Sequence, residues 1–256
     1  MGSRQYTEWP APAGLSGAVM CLWSAAAADD TETVVLPDAC SDLIWEQGRG
    51  AFVAGPDTGP SPAASRAGTV IFGVRFLPSA GGPLLGLPLS ELRDQRVDLA
   101  DLRPAEARRL PGSLDLRTAA TRLVDLAGRL VADGPPDDAV AYAARMLGDP
   151  RARAEDVAEQ VGLSMRQLRR RCQDTAGYGP KTLQRVLRFR RFVSRIDARD
   201  HDLAALAADA GYADQAHLTR ECVRLAGLTP AALAKLRSPG GAGGRPPASE
   251  QLRQWP

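Results

Sequence analysis

The C-terminal half of this 256-residue chain repeats itself, and that repeat limits the fold more than any other feature. Val157, Ala158, Val161 and Gly162 recur 49 residues later as Leu206, Ala207, Ala210 and Gly211. One extra residue then enters, and Leu168, Arg170, Cys172, Gly177, Pro180 and Leu183 recur 50 residues later as Leu218, Arg220, Cys222, Gly227, Pro230 and Leu233. Two copies of one structural unit are implied. Each copy has the logic of a helix-turn-helix. Small apolar residues line the inner face of a short first helix, as in Val157-Ala158-Val161 and Leu203-Leu206-Ala207, so that a second helix can cross it closely. Gly162 and Gly211 supply the positive φ of the sharp turn. Ser164 or Asp214 caps the second helix, which points Leu168 and Cys172, or Leu218 and Cys222, inward at i, i+4.

The outward face of that second helix then carries Arg166, Arg169 and Arg170 in the first unit and Gln215, Thr219 and Arg220 in the second. Arg can bind guanine O6 and N7 together, and Gln can bind adenine N6 and N7, so these six are the candidate base contacts. Ser164, Arg171, Lys181, Arg188, Arg191 and His217 are candidates for phosphates, which position a protein without reading sequence. Between the units, "GPKTLQRVLRFRRFVSRI" reads as a connecting helix with Pro180 at its first position. At ~1.5 Å per residue, its roughly 16 residues span about 24 Å, the scale needed to hold two helices near the ~34 Å between successive major grooves on one DNA face.

Charge supports a polyanionic partner. Residues 1–150 hold 13 Arg and no Lys against 19 acidic residues, a charge of −6, whereas residues 151–256 carry +8. From Ser164 to Ile196 there are ten basic residues and one acid, Asp174. An arginine row on a helix is commonly only a solvated face. Its recurrence in a repeated, glycine-turned and capped frame favours double-stranded DNA. The rival partner for the same surface is an acidic protein.

The stretches "VGLSMRQLRRRCQDTAGYGPKTL" and "AGYADQAHLTRECVRLAGLTPAAL" carry a family resemblance. The region from about Asp137 to Arg237 resembles the tandem helix-turn-helix domain of AraC/XylS-family bacterial transcription regulators. That resemblance implies sequence-specific DNA binding, base contacts at the six outward positions above, and contact with RNA polymerase if the protein activates. Cys172 and Cys222 stand where the family usually has a bulky aromatic. "LPDACSDLIW", "VAGPDTGP" and "FGVRFLPSAGGPLLGLPLSEL" resemble a β-rich domain that precedes this DNA-binding domain in many actinobacterial-looking regulators, which implies a sensing or dimerising role.

The expected fold class is therefore α+β: a small β-rich barrel or sheet domain with helices over residues 1–134, an all-α tandem helix-turn-helix domain over 135–237, and a disordered Gly- and Pro-rich tail over 238–256. "TETVVLPD", "SDLIWEQ", "AFVAG" and "TVIFGVRFL" read as strands, with Val70, Phe72, Val74 and Phe76 on one face and Arg75 opposite. Leu116, Ala120, Leu123, Leu126 and Leu130 form one stripe of a helix from about Ser113 to Ala132, which "DGPP" ends. Trp23, Cys40, Trp45 and Phe72 are the candidate effector-binding residues; filling the core is the alternative role for the aromatics. Cys40, between Asp38 and Asp42, also opens the alternative of a covalent switch, which needs an activated thiolate.

Catalysis is disfavoured, because residues 1–150 contain no histidine for a nucleophile-histidine arrangement and no phosphate-cradling glycine loop. No metal and no cofactor are expected. Four separated cysteines without a CxxC pair, and the lack of a secretion signal or an apolar run of about 18 residues, suggest a cytoplasmic protein that spans no membrane. A homodimer would serve regulation, since one chain already carries two reading heads.

Overall fold

The computed structural model describes residues 4–196 and 203–237, so the tail expected from residue 238 lies outside the described residues. The N-terminal strands are β1 (Arg4–Pro10), β2 (Val19–Ala27), β3 (Thr31–Val35), β4 (Ser41–Glu46), β5 (Gly50–Ala54), β6 (Ser61–Ser65), β7 (Val70–Phe76) and β8 (Arg96–Asp98). Six of them form an open sheet in the order β1-β2-β7-β4-β5-β8, and β3 pairs with β6 in a separate ribbon. Every pairing is antiparallel. Of the two forms expected, barrel or sheet, the protein has the sheet.

Period-two alternation decides what each face of the sheet does. On β4 and β7, Trp45 lies opposite Phe72 and Leu43 opposite Val74, and all four are buried in the larger core. Helix α4 (Leu116–Asp133) covers that face with Ala119, Ala120, Leu123, Leu126, Ala127 and Leu130. Asp115 caps α4 by accepting the Thr118 N–H, so Leu116 is its first residue and is 40% exposed instead of joining the buried stripe. Three short helices, α1 (Gly81–Leu85), α2 (Leu99–Leu102) and α3 (Pro104–Ala107), fill the crossing between β7 and α4. The opposite face of the sheet holds a smaller cluster with Cys21, Trp23, Ile44, Phe52 and Ala54.

From Asp138 the chain is helical: α5 (Asp138–Leu147), α6 (Ala154–Gln160), α7 (Met165–Ala176), α8 (Pro180–Ile196), α9 (Leu203–Ala210), α10 (Gln215–Ala226) and α11 (Pro230–Arg237). Two cores form here, and α8 feeds both of them. Its Leu183, Val186 and Leu187 pack with α5, α6 and α7, while Phe189, Phe192 and Ile196 pack with α9, α10 and α11. Truncating Phe189 or Phe192, each fully buried, would cost about 3–5 kcal/mol. The loop after β3 reaches both cores, Ala39 entering the first and Leu36 packing against the second.

Candidate nucleic-acid interface

The two turn glycines adopt the left-handed conformation that the pattern requires, Gly162 at φ +68° and Gly211 at φ +85°. Ser164 caps α7 through a full capping box: its hydroxyl accepts the Gln167 N–H, and the Gln167 side chain accepts the Ser164 N–H at 2.9 Å. Asp214 caps α10 by accepting the His217 N–H at 2.6 Å. Below the helices, Leu168, Cys172, Leu218 and Cys222 are fully buried. Burial pushes the Cys172 and Cys222 thiols up to about 12, so both are neutral packing groups.

Above them, Arg166, Arg169 and Arg170 on α7 and Gln215 and Arg220 on α10 are exposed. Thr219 is half-exposed, and its hydroxyl donates to the Gln215 carbonyl at 2.9 Å. The structure therefore gathers the six candidate base contacts into two outward rows on repeat-related helices.

Five of the six candidate phosphate residues divide into two groups, and the sixth, Arg191, is half-buried on α8 and does not line the cleft. Lys181, Arg188 and His217 line a cleft of about 380 Å³ between the two units, together with Arg153, Arg185 and two acids, Glu155 and Glu221. Arg188 stacks 5.7 Å from the Tyr212 ring centroid, and the buried Nε atoms of Arg188 and Arg191 have no hydrogen-bond partner among the described residues. The other group is engaged within the protein. Arg171 is turned onto Asp137, the N-cap of α5, donating from Nε at 2.8 Å and from a terminal nitrogen at 2.9 Å. The Ser164 hydroxyl serves the capping box.

One supporting contact had no sequence signal. Arg185 of α8 pairs with Glu221 of α10 at 3.1 Å, tying α10 to α8. Only a knowledge of how α10 crosses α8 could have revealed it, since the two residues are far apart in the chain.

The four candidate effector residues do not line one cavity. Trp45 and Phe72 are in the core under α4, and Trp23 is on the other face of the sheet. There its indole N–H donates to Asp42 at 2.6 Å, beside Arg75, whose Nε donates to the same oxygen at 3.1 Å. Cys40 is 4% exposed, with its thiol 3.8 Å from the Met20 sulfur. Burial, reinforced by Asp38, pushes that thiol well above its ordinary value, opposite to what a thiolate switch needs. Among the described residues no helix is long and apolar enough to cross a membrane, and no group of His, Cys, Asp and Glu is arranged to hold a metal.

Residues 157–235 match a family model described as a helix-turn-helix domain, and residues 7–98 match a domain of unknown function, DUF6597. No curated protein is significantly similar to the chain. Among solved structures, the chain is similar to ToxT from Vibrio cholerae, at 9% identity over 91% of this chain and 98% of that one, with a TM-score of 0.46. Wild-type ToxT from Vibrio cholerae strain SCE256 with an unsaturated fatty acid bound aligns at 9% identity over 91% of this chain and 94% of that one, with a TM-score of 0.42.

Proposed function

We propose, from the helix-turn-helix family match over residues 157–235 and the 50-residue repeat, that the chain is an AraC/XylS-type DNA-binding transcription regulator whose α7 and α10 enter successive major grooves on one face of DNA. Arg166, Arg169 and Arg170 would read one block of bases, and Gln215, Thr219 and Arg220 the other. The observation that carries this reading is α8: one helix supplies buried residues to both cores, so the two reading helices ride on a common strut. Phosphates between the grooves would meet Lys181, Arg188 and His217 in the cleft between the units.

In this account residues 1–134 control residues 135–237, in answer to a small-molecule effector in the cytoplasm. What supports control is the seating of Leu36 and Ala39 against the two helical cores, because a change in the β-rich domain then has a physical route to both units. RNA polymerase and a second copy of the chain are the further partners in this account, for activation and for regulation.

Hydroxyl-radical footprinting of the intact protein on its selected site tests the two-groove reading. Protection on one DNA face in two segments about 10 base pairs apart is expected, from the helical repeat. A single protected segment would overturn it.

A further inference from the structure

The segment Gly55-Pro56-Asp57-Thr58-Gly59-Pro60, between β5 and β6, uses a Gly-Pro doublet twice, four residues apart. Each doublet meets one helix-turn-helix unit, and it does so at equivalent places in the repeat. Pro56 lies against Gly177, the left-handed C-cap of α7, so closely that a Cβ there would come within 2.5 Å of the proline Cγ. Pro60 lies against Gly227, the left-handed C-cap of α10, with its Cγ 3.7 Å from where a Cβ would stand. These two caps are the pair related by the 50-residue repeat. The fully buried Tyr178, next to the first cap, also donates its hydroxyl to the Asp57 carbonyl.

This turn is itself rigidly held. The Asp57 carboxylate accepts two nitrogens of Arg96, at 3.0 and 2.7 Å. Thr58 donates its N–H and its hydroxyl to Asp94 at 2.6 and 2.8 Å, and the Asp94 N–H returns to the Pro56 carbonyl at 3.1 Å. The Gly55 N–H donates to the Gln95 carbonyl at 3.0 Å, and both prolines have their φ fixed by their rings. The neighbouring loop bridges the units in parallel, since Ala39 and Leu36 reach opposite cores and Arg190 of α8 donates to the Asp38 carbonyl at 3.3 Å.

We propose that the Gly55–Pro60 turn is a spacing gauge, in which Pro56 and Pro60 are positioning residues that fix α7 relative to α10 and so set the number of base pairs between the two blocks the protein accepts. This rests on α7 and α10 being the DNA readers. A single shared helix such as α8 can bend along its length, whereas a cross-brace between the C-caps of both reading helices resists that bend. The demand is stringent. Changing the spacer by one base pair shifts a half-site by about 3.4 Å and rotates it by about 35°, which a braced pair of helices cannot follow.

The test uses the intact protein and DNA in which both selected blocks are kept while the spacer is lengthened or shortened by one and two base pairs. Wild type should prefer one spacer by about tenfold or more over its neighbours, and Pro56→Ala and Pro60→Ala should keep the base preferences of each block while narrowing that margin to about threefold or less. Circular dichroism confirms folding. Should Pro56→Ala fail to fold, Pro60→Ala decides, because its contact is of ordinary van der Waals length. Variants as spacer-selective as wild type would overturn the gauge. So would a wild-type protein indifferent to spacing, with two-groove recognition left standing. Absence of two blocks altogether would instead be the failure of the DNA reading on which the gauge depends.

Discussion

Asp137 serves the first unit in two ways, and separating them gives a sharp prediction. Its carboxylate caps α5 by accepting the Val140 N–H at 3.0 Å, and it also holds Arg171 of α7 through two hydrogen bonds. Asp137→Ala removes both functions. The lost cap costs about 1 kcal/mol. The ion pair adds up to about 1 kcal/mol and no more, because the Arg171 side chain is 40% exposed and water screens it. The sum is about 2 kcal/mol, or roughly 4–8 °C in Tm for a protein of this size class. Asp137→Asn keeps an oxygen to cap α5 and loses only the charge, so it should cost about half as much. DNA binding should move the other way. Freed from its partner, Arg171 stands beside Arg170 on the reading helix, and one more phosphate contact steepens the slope of log K against log salt by about 1. Scanning calorimetry and anisotropy titrations over a salt series measure both effects. Equal destabilisation by Asn and Ala would refute the capping argument, and an unchanged salt slope in both variants would refute the release of Arg171.

Three further outcomes are expected. Arg170→Ala and Arg220→Ala should each weaken binding to the preferred site by about 1–3 kcal/mol and relax preference at one or two positions, with little effect on random DNA; equal losses on both DNAs would rule out base reading. The Cys172 and Cys222 thiols, held up to about 12 in the folded protein against 9.0 ordinarily, should add no pH dependence to stability below about pH 9 and then lower it by up to about 1.4 kcal/mol per pH unit for each thiol, because only the unfolded chain loses those protons; urea midpoints that do not fall from pH 9 to 10 would contradict their burial. Affinity for DNA should drop by about 10³ to 10⁵ between about 50 and 200 mM salt if six to ten phosphates are neutralised, and a shallow dependence would show that the cationic cleft lies off the DNA.

The helical half was legible because its information is local and doubled. Caps at Ser164 and Asp214, turns at Gly162 and Gly211, and inward pairs at i, i+4 all declare themselves within a few residues, and the repeat checks each one. The strand-rich half was legible where β-branched and aromatic runs are bounded by turn residues, as in β3, β4, β5 and β7. Strand β2, "VMCLWSAAA", is rich in alanine and its sequence does not alternate apolar with polar residues, so neither period nor propensity marks it. Strand β6, "SPAAS", contains a proline and pairs only with β3, outside the main sheet. The sequence expectation of an effector site around Trp23, Cys40, Trp45 and Phe72 drew on composition. Residue type cannot say which sheet face a residue occupies when the strand before it goes unseen. Long-range ion pairs such as Arg171 with Asp137 and Arg185 with Glu221 depend on how helices cross, and the contacts of Pro56 and Pro60 depend on how two domains meet. A Gly-Pro doublet announces a turn and nothing about what the turn touches.

Selection of the intact protein on a random double-stranded DNA library tests the central claim most directly. Two short blocks of preferred bases about one helical turn apart are the expected result, one altered by Arg170→Ala and the other by Arg220→Ala. A single block, or enrichment of no sequence at all, would contradict the account of two helices reading successive grooves.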